Sequence, residues 1–198
     1  MDNLEYVKNY LSSSLGVKKK LIDDNDVIAK IKDVAELIEE MYRSGNKLLL
    51  AGNGGSAADA QHIAAEFVSR FFYDRPGLPA IALTTDTSML TAIGNDYGFD
   101  RIFSRQIQAQ GSRGDIFIGI STSGNSSNII AAIREAKRLG IITVALCGKG
   151  GVLSSIADFS IDVPSLSTPH IQECHIVIGH IICGLVEERI FPEEKPNV

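Results

Sequence analysis

The chain predicts an α/β; three-layer α/β/α sandwich on a five-stranded parallel sheet, and three observations point to it. From residue 47 onward, short apolar runs alternate with amphipathic stretches of helical period. The runs are apolar throughout, as in Ile141-Ile142-Thr143-Val144-Ala145-Leu146, so both faces of each strand need cover, as in a parallel sheet. Two of them, Leu48-Leu49-Leu50-Ala51 and Ile116-Phe117-Ile118-Gly119-Ile120, empty directly into small polar residues that open a helix, the pattern of strands joined by helical crossovers.

Two helices precede this core, over 4–21 and 27–43. In the second, Val27, Ile28, Ile31, Val34, Ala35, Ile38 and Met41 fall at helical spacing, with an Asp cap before them and Gly45 after. Strands are expected near 47–51, 79–83, 115–120, 141–147 and 159–163, with helices over 56–72, 87–93, 99–110, 126–139 and 169–190. Asp74-Arg75-Pro76-Gly77 reads as a turn, and the polar tail 192–198 as frayed. Nothing divides the chain, so 1–198 is expected to form a single domain with its α/β core over 47–190. Residues 4–43 lie outside that core and need another apolar surface, for which a partner subunit is the candidate.

Composition narrows the function. A net charge of −5 over 198 residues offers no general attraction to polyanions, so neither nucleic acid nor an anionic membrane is an expected partner. No apolar run approaches the roughly 18 residues of a bilayer span. Met1-Asp2-Asn3-Leu4-Glu5 is acidic where a secretory signal is basic, which makes a cytoplasmic location the expectation. Cys147, Cys174 and Cys183 sit in apolar runs without a Cys-x-x-Cys pair and read as reduced core residues.

The strand-to-helix loops carry the chemistry. A buried strand that stops at Gly, Ser and Asn before a helix gathers free N–H groups, hydroxyls and the positive end of the helix at one point, which suits a phosphate. Gly52-Asn53-Gly54-Gly55-Ser56-Ala57 satisfies G-x-G-x-x-A formally. The acidic residue that a dinucleotide site needs about 20 positions on is replaced by the Tyr73–Pro76 turn, which argues against a nicotinamide cofactor. Ser121-Thr122-Ser123-Gly124-Asn125-Ser126 offers four hydroxyls where a helix cap needs one. No Lys follows as in a P-loop, so a sugar monophosphate fits better than a nucleoside triphosphate.

His62 and Glu66 stand four apart on the helix after the first loop, and Gln172, His175 and His180 share nearly one face of the last helix. Two helices can therefore converge four polar groups. Read singly, His180 is a satisfied core histidine and His62 with Glu66 a surface pair. A metal half-site is also open, although glutamine is an uncommon ligand. Asn95-Asp96-Tyr97-Gly98 reads equally as a turn or as part of the site.

In order and over nearly the whole chain, Gly52-Asn53-Gly54-Gly55-Ser56, Gly94-Asn95-Asp96, Gly119-Ile120-Ser121-Thr122-Ser123-Gly124-Asn125-Ser126 and Ile171-Gln172-Glu173 resemble the sugar isomerase (SIS) family. The likeness is to the branch that isomerises sedoheptulose 7-phosphate. It implies a flavodoxin-like fold and an aldose-ketose isomerase that forms D-glycero-D-manno-heptose 7-phosphate through an enediol, the first step of nucleotide-activated heptose synthesis. It also implies one zinc ion (Zn2+) per subunit held by His62, Glu66, Gln172 and His180, with Glu66 and His180 as the proton-transfer pair. Ser121, Thr122, Ser123 and Ser126 would hold the phosphate. Asn53, Gly54, Gly55, Glu66, Asn95, Asp96 and Gln172 would contact the sugar. Members are homotetramers with the leading helices packed centrally and the active sites between subunits. Pro169-His170 stands where members often carry Arg, leaving a protonated His170 as the cation available there. A second class within the family binds the replication initiator without catalysis; Asn stands there at the place of His180, so the histidine favours the enzyme. A sugar-phosphate-sensing transcription factor would need a DNA-binding domain, and no basic helix-turn-helix precedes residue 47.

Overall fold

The computed structural model describes residues 2–195. Met1 and positions 196–198, with the end of the polar tail, lie outside the described residues. The leading helices are α1 (Asn3–Ile22) and α2 (Asn25–Arg43). The core then runs β1 (Leu48–Gly52), α3 (Gly55–Val68), β2 (Ala80–Ala82), α4 (Thr87–Tyr97), α5 (Ile102–Gln110), β3 (Ile116–Ser121), α6 (Ser127–Arg138), β4 (Ile142–Gly148), α7 (Leu153–Ile156), β5 (Phe159–Val163) and α8 (Thr168–Ile190). All strand pairs are parallel, in the order β2-β1-β3-β4-β5. That is the flavodoxin-like order, whose winding reverses between β1 and β3 and opens a crevice at their carboxyl ends. The two small-residue loops leave the sheet at this point.

The strands bury both faces, as their uninterrupted apolar character requires. Leu48 and Leu50 of β1 face one core with Ile38 of α2, Phe67 of α3 and Ile178 of α8. Leu49 and Ala51, one residue out of phase, face the other with Phe103 and Ile107 of α5 and Ile129 and Ile133 of α6, as the two-residue period of a strand dictates.

Two helix ends and one additional turn of helix depart from expectation. The helix expected over 56–72 stops at Val68, because the backbone N–H groups of Phe71 and Phe72 donate to the Glu187 carboxylate, at 2.8 and 2.7 Å, and so leave the helical ladder. The helix expected to end at 93 continues to Tyr97 and stops before Gly98. The single-turn α7 falls where no element was expected.

Helix α1 is held by a polar cluster on the first turns of α8. Glu173 accepts from Lys18 Nζ at 2.8 Å, from Tyr10 Oη at 3.2 Å and from Ser14 Oγ. Its own apolar stripe is uncovered: Leu4, Tyr6, Val7, Leu11 and Leu15 are all more than half exposed. No described helix is long and apolar enough to cross a membrane.

The bonds from Lys18 and then Ser14 hold the Glu173 carboxyl down to about 2. A carboxyl that titrates lower folded than unfolded stabilises the fold above the unfolded value, about 4.3, and loses that contribution as pH falls through the folded one. Glu173→Gln should therefore lower Tm near pH 7, and thermal melts should show the gap to the unmodified chain closing between roughly pH 4.3 and roughly pH 2.

Candidate active site

At the switch point, Asn53, Gly54, Gly55, Ser121, Thr122 and Ser126 line a cavity of about 310 Å³ with Ser56, Ile120, Thr168 and Gln172. Three helices begin at this cavity: α3 after Gly54, α6 after Ser126 and α8 after Ser167. None of the three has a side chain capping its first N–H groups. Of the helices that begin elsewhere, α1, α2 and α4 are each capped by an aspartate, Asp2, Asp24 and Asp86, whereas the shorter α5 and α7 carry no side-chain cap. On α3 the N–H groups of Ser56 and Ala57 turn back to the carbonyls of Asn53 and Gly54, at 3.0 and 3.1 Å, so what the three helix starts at the cavity share is the absence of a side-chain cap and a positive dipole end beside the loop hydroxyls, an arrangement that suits an anion. Ser121 Oγ and Ser126 Oγ are 2.9 Å apart and share a hydrogen bond across the loop.

Sequence reasoning missed Asn128, which holds the two loops together. Its amide exchanges two hydrogen bonds of 2.9 Å with that of Asn53, and it is buried on the first turn of α6. An amide on a helix face that otherwise packs as Ile129 and Ala132 was the available signal.

Farther along α3, His62 and Glu66 meet His180 of α8. His62 Nε2 lies 2.8 Å from His180 Nε2 and 3.3 Å from Glu66 Oε1. One donor atom from each of the three falls within 4.8 Å of the others. The neighbours Ile63 and Gly179 explain how the helices come so close: a Cβ on Gly179 would stand 2.6 Å from Ile63 Cδ1. The Phe71 ring flanks His180 at a centroid distance of 5.4 Å. One turn before His62, a buried carboxyl oxygen of Asp59 has no hydrogen-bond partner, and burial pushes that carboxyl up to about 6.

The expectation that four polar groups converge within one chain is corrected. Gln172 shares a helix face with His180, but eight residues of helix separate them by about 12 Å along the axis. Its amide lies instead against the first loop, with Nε2 only 2.4 Å from where a Cβ on Gly55 would stand. Ser123 is exposed and accepts from the Asn125 backbone N–H at 3.2 Å, outside the cavity lining. Asn95 and Asp96 bond to each other at 2.9 Å on the exposed end of α4, also outside that lining. His170 is buried and faces α1, its ring 4.7 Å from that of Tyr10, and it is absent from the cavity lining. His175 is fully buried in the core.

The chain finds its counterpart in the SIS domain family, whose model matches residues 9–148. Phosphoheptose isomerase of Aneurinibacillus thermoaerophilus is 62% identical over 195 residues, covering 98% of each chain. The solved structure of a phosphoheptose isomerase from Francisella tularensis superposes with a TM-score of 0.91 at 38% identity, covering 95% of this chain and 100% of that one. Its counterpart from Neisseria gonorrhoeae gives 0.88 at 41% identity, covering 94% and 100%. The chain belongs to the SIS domain family and, within it, to the phosphoheptose isomerases. The initiator-binding alternative finds no support, since these relatives are isomerases and His180 stands beside His62.

Gly179→Ala forces α8 away from α3. Denaturant unfolding should show a loss of about 1–3 kcal/mol, as for other overpacked contacts, and a parallel assay should show weakened turnover as His62 and His180 separate.

Proposed function

We propose that the chain converts sedoheptulose 7-phosphate into D-glycero-D-manno-heptose 7-phosphate, with the phosphate in the loop cavity and the reacting carbons at His62, Glu66 and His180. The observation that carries this reading is that α3 and α8 each begin at the anion cavity and farther along bear the acid-base groups. An extended seven-carbon phosphate needs these two functions at separated points.

The reaction moves a proton from C1 to C2 while a hydroxyl proton passes from O1 to O2, so atoms balance through an enediol without any external oxidant. A carboxylate and an imidazole suffice for these transfers. Glu66 and His180 take this role, and His62, in contact with both, orients them. The uncapped helix ends and the hydroxyls of Ser121, Thr122 and Ser126 hold the phosphate, while Asn53, Gly54, Gly55 and Gln172 contact the sugar; Ser123, Asn95 and Asp96, which lie outside this cavity, have no contact with a ligand bound in it.

Two imidazole nitrogens and a carboxylate oxygen within 4.8 Å form a donor set that fits Zn2+. His62, Glu66 and His180 would hold one ion per subunit, with Gln172 of a second copy as the fourth donor, since within a single chain it lies too far along α8. When bound, the ion supplies positive charge that steadies the enediolate oxygens. The uncovered stripe of α1 and the solvent-open side of His62 support a homotetramer in which the leading helices pack centrally and the sites lie between subunits. A soluble sugar phosphate as substrate supports a cytoplasmic location.

Purified protein given sedoheptulose 7-phosphate should yield the aldoheptose 7-phosphate, and Glu66→Gln or His180→Ala should abolish the conversion; turnover surviving in either variant removes that residue from the pair. Treatment with a chelator should lower turnover and added zinc restore it, with metal content followed by elemental analysis. A monomeric mass in solution would overturn the assembly.

A further inference from the structure

The turn Asp74-Arg75-Pro76-Gly77 carries a buried cation, Arg75. The side chains of Arg75 and Glu187 are each 1% exposed and meet at 2.9 Å between Nε and Oε1. Arg75 also donates through Nη2 to the backbone carbonyl of Glu66 at 2.8 Å, and through Nη1 to that of Phe67 at 2.6 Å. These carbonyls lie in the last turn of α3, where no intrahelical donor remains for them, and a cation there also suits the negative end of the helix. Glu187 spends its second oxygen on the Phe72 N–H and shares the first with that of Phe71. The folded-back segment lays the Phe71 ring beside His180.

We propose that Arg75 and Glu187 are positioning residues for the His62, Glu66 and His180 centre. Two of these groups stand on α3 and the third on α8, so their mutual distances depend on how the two helices are fastened. Ile63 and Gly179 set the approach at the level of the histidines. Arg75 grips α3 at the carbonyl of Glu66 itself, and Glu187 stands seven residues after His180, on the same face of α8. The ion pair thus fixes the far end of the same helix pair and stops one helix rotating or sliding against the other. Lysine cannot replace Arg75 here, because a point charge does not reach two carbonyls and a carboxylate in fixed directions.

This inference rests on reading the three residues as the reactive centre. The test compares Arg75→Lys, Glu187→Asp and Phe71→Leu with the unmodified chain, and adds Asp115→Asn as a control. Asp115 is an equally buried carboxylate just before β3; it pairs with Lys47 and bonds to Asn46 and Ser112, none of which lies on α3 or α8. Folded Arg75→Lys and Glu187→Asp should lose about a hundredfold in kcat, the scale of a misplacement near 1 Å. KM for sedoheptulose 7-phosphate should stay within about twofold, because the loop cavity is untouched. Cobalt(II) titrated alone into each protein should give weaker and shifted visible absorption in these two variants, and an unaltered spectrum in Asp115→Asn even where its Tm falls as far. Phe71→Leu removes no buried polar group, so it keeps the comparison alive if the ion-pair variants fail to fold, and it should lower kcat with KM retained. Wild-type kcat and cobalt spectra in the folded ion-pair variants, or in Phe71→Leu if those do not fold, would overturn the proposal. So would equal losses in Asp115→Asn at matched Tm. Turnover by the unmodified chain tests the function separately, and the cobalt spectra report on positioning even without turnover.

Discussion

Strands β1 and β3 are hydrogen-bonded neighbours, yet the helices that follow them leave on opposite faces of the sheet: α3 packs in the core with Phe67, α6 in the core with Ile129 and Ile133. The two loops therefore diverge and cannot close over each other, and the space between them is held open by the winding of the chain. The other features of the site depend on that divergence. It sets the cavity, points the starts of α3 and α6 into it, and lays α3 on the same face as α8 so that their polar groups can meet. The Asn53–Asn128 pair then fastens the two loops across the gap that the winding creates.

Much of this was legible in the residues because burial in a parallel sheet leaves an unambiguous mark. Runs such as Leu48-Leu49-Leu50-Ala51 have no polar phase, so the number of strands, their direction and the cover on both faces followed together. The end of α3 was not legible. The apolar pattern continues through Phe71 and Phe72, and what breaks the helix is a carboxylate more than a hundred residues away. Local propensity carries no information about such a partner. The four-residue α7 is too short to leave a period at all.

The site was legible in kind but less so in arrangement. Spacing placed His62 with Glu66 and put Gln172 on one face with His180, but face and height are separate coordinates on a helix. Only the first is read from the period of 3.6; the second requires knowing which turn of α8 lies against which turn of α3. The contact at Ile63 and Gly179 settles that register, bringing His180 to His62 and leaving Gln172 beside Gly55. Arg75 was hidden for a similar reason. A charged residue in a Pro-Gly turn looks solvated until Glu187 is seen to meet it.

The lack of a side-chain cap on α3, α6 and α8 has a thermodynamic consequence for the whole fold. A side-chain cap is worth on the order of 1 kcal/mol per helix, and this chain forgoes it at the three helices that meet the cavity while keeping it at α1, α2 and α4. An anion bound there would take up the N–H groups that stay free and so stabilise the helix starts. Occupancy and folding stability are then linked functions: the ligand acts as a missing part of the secondary structure, and the protein is most resistant to unfolding when its substrate is abundant.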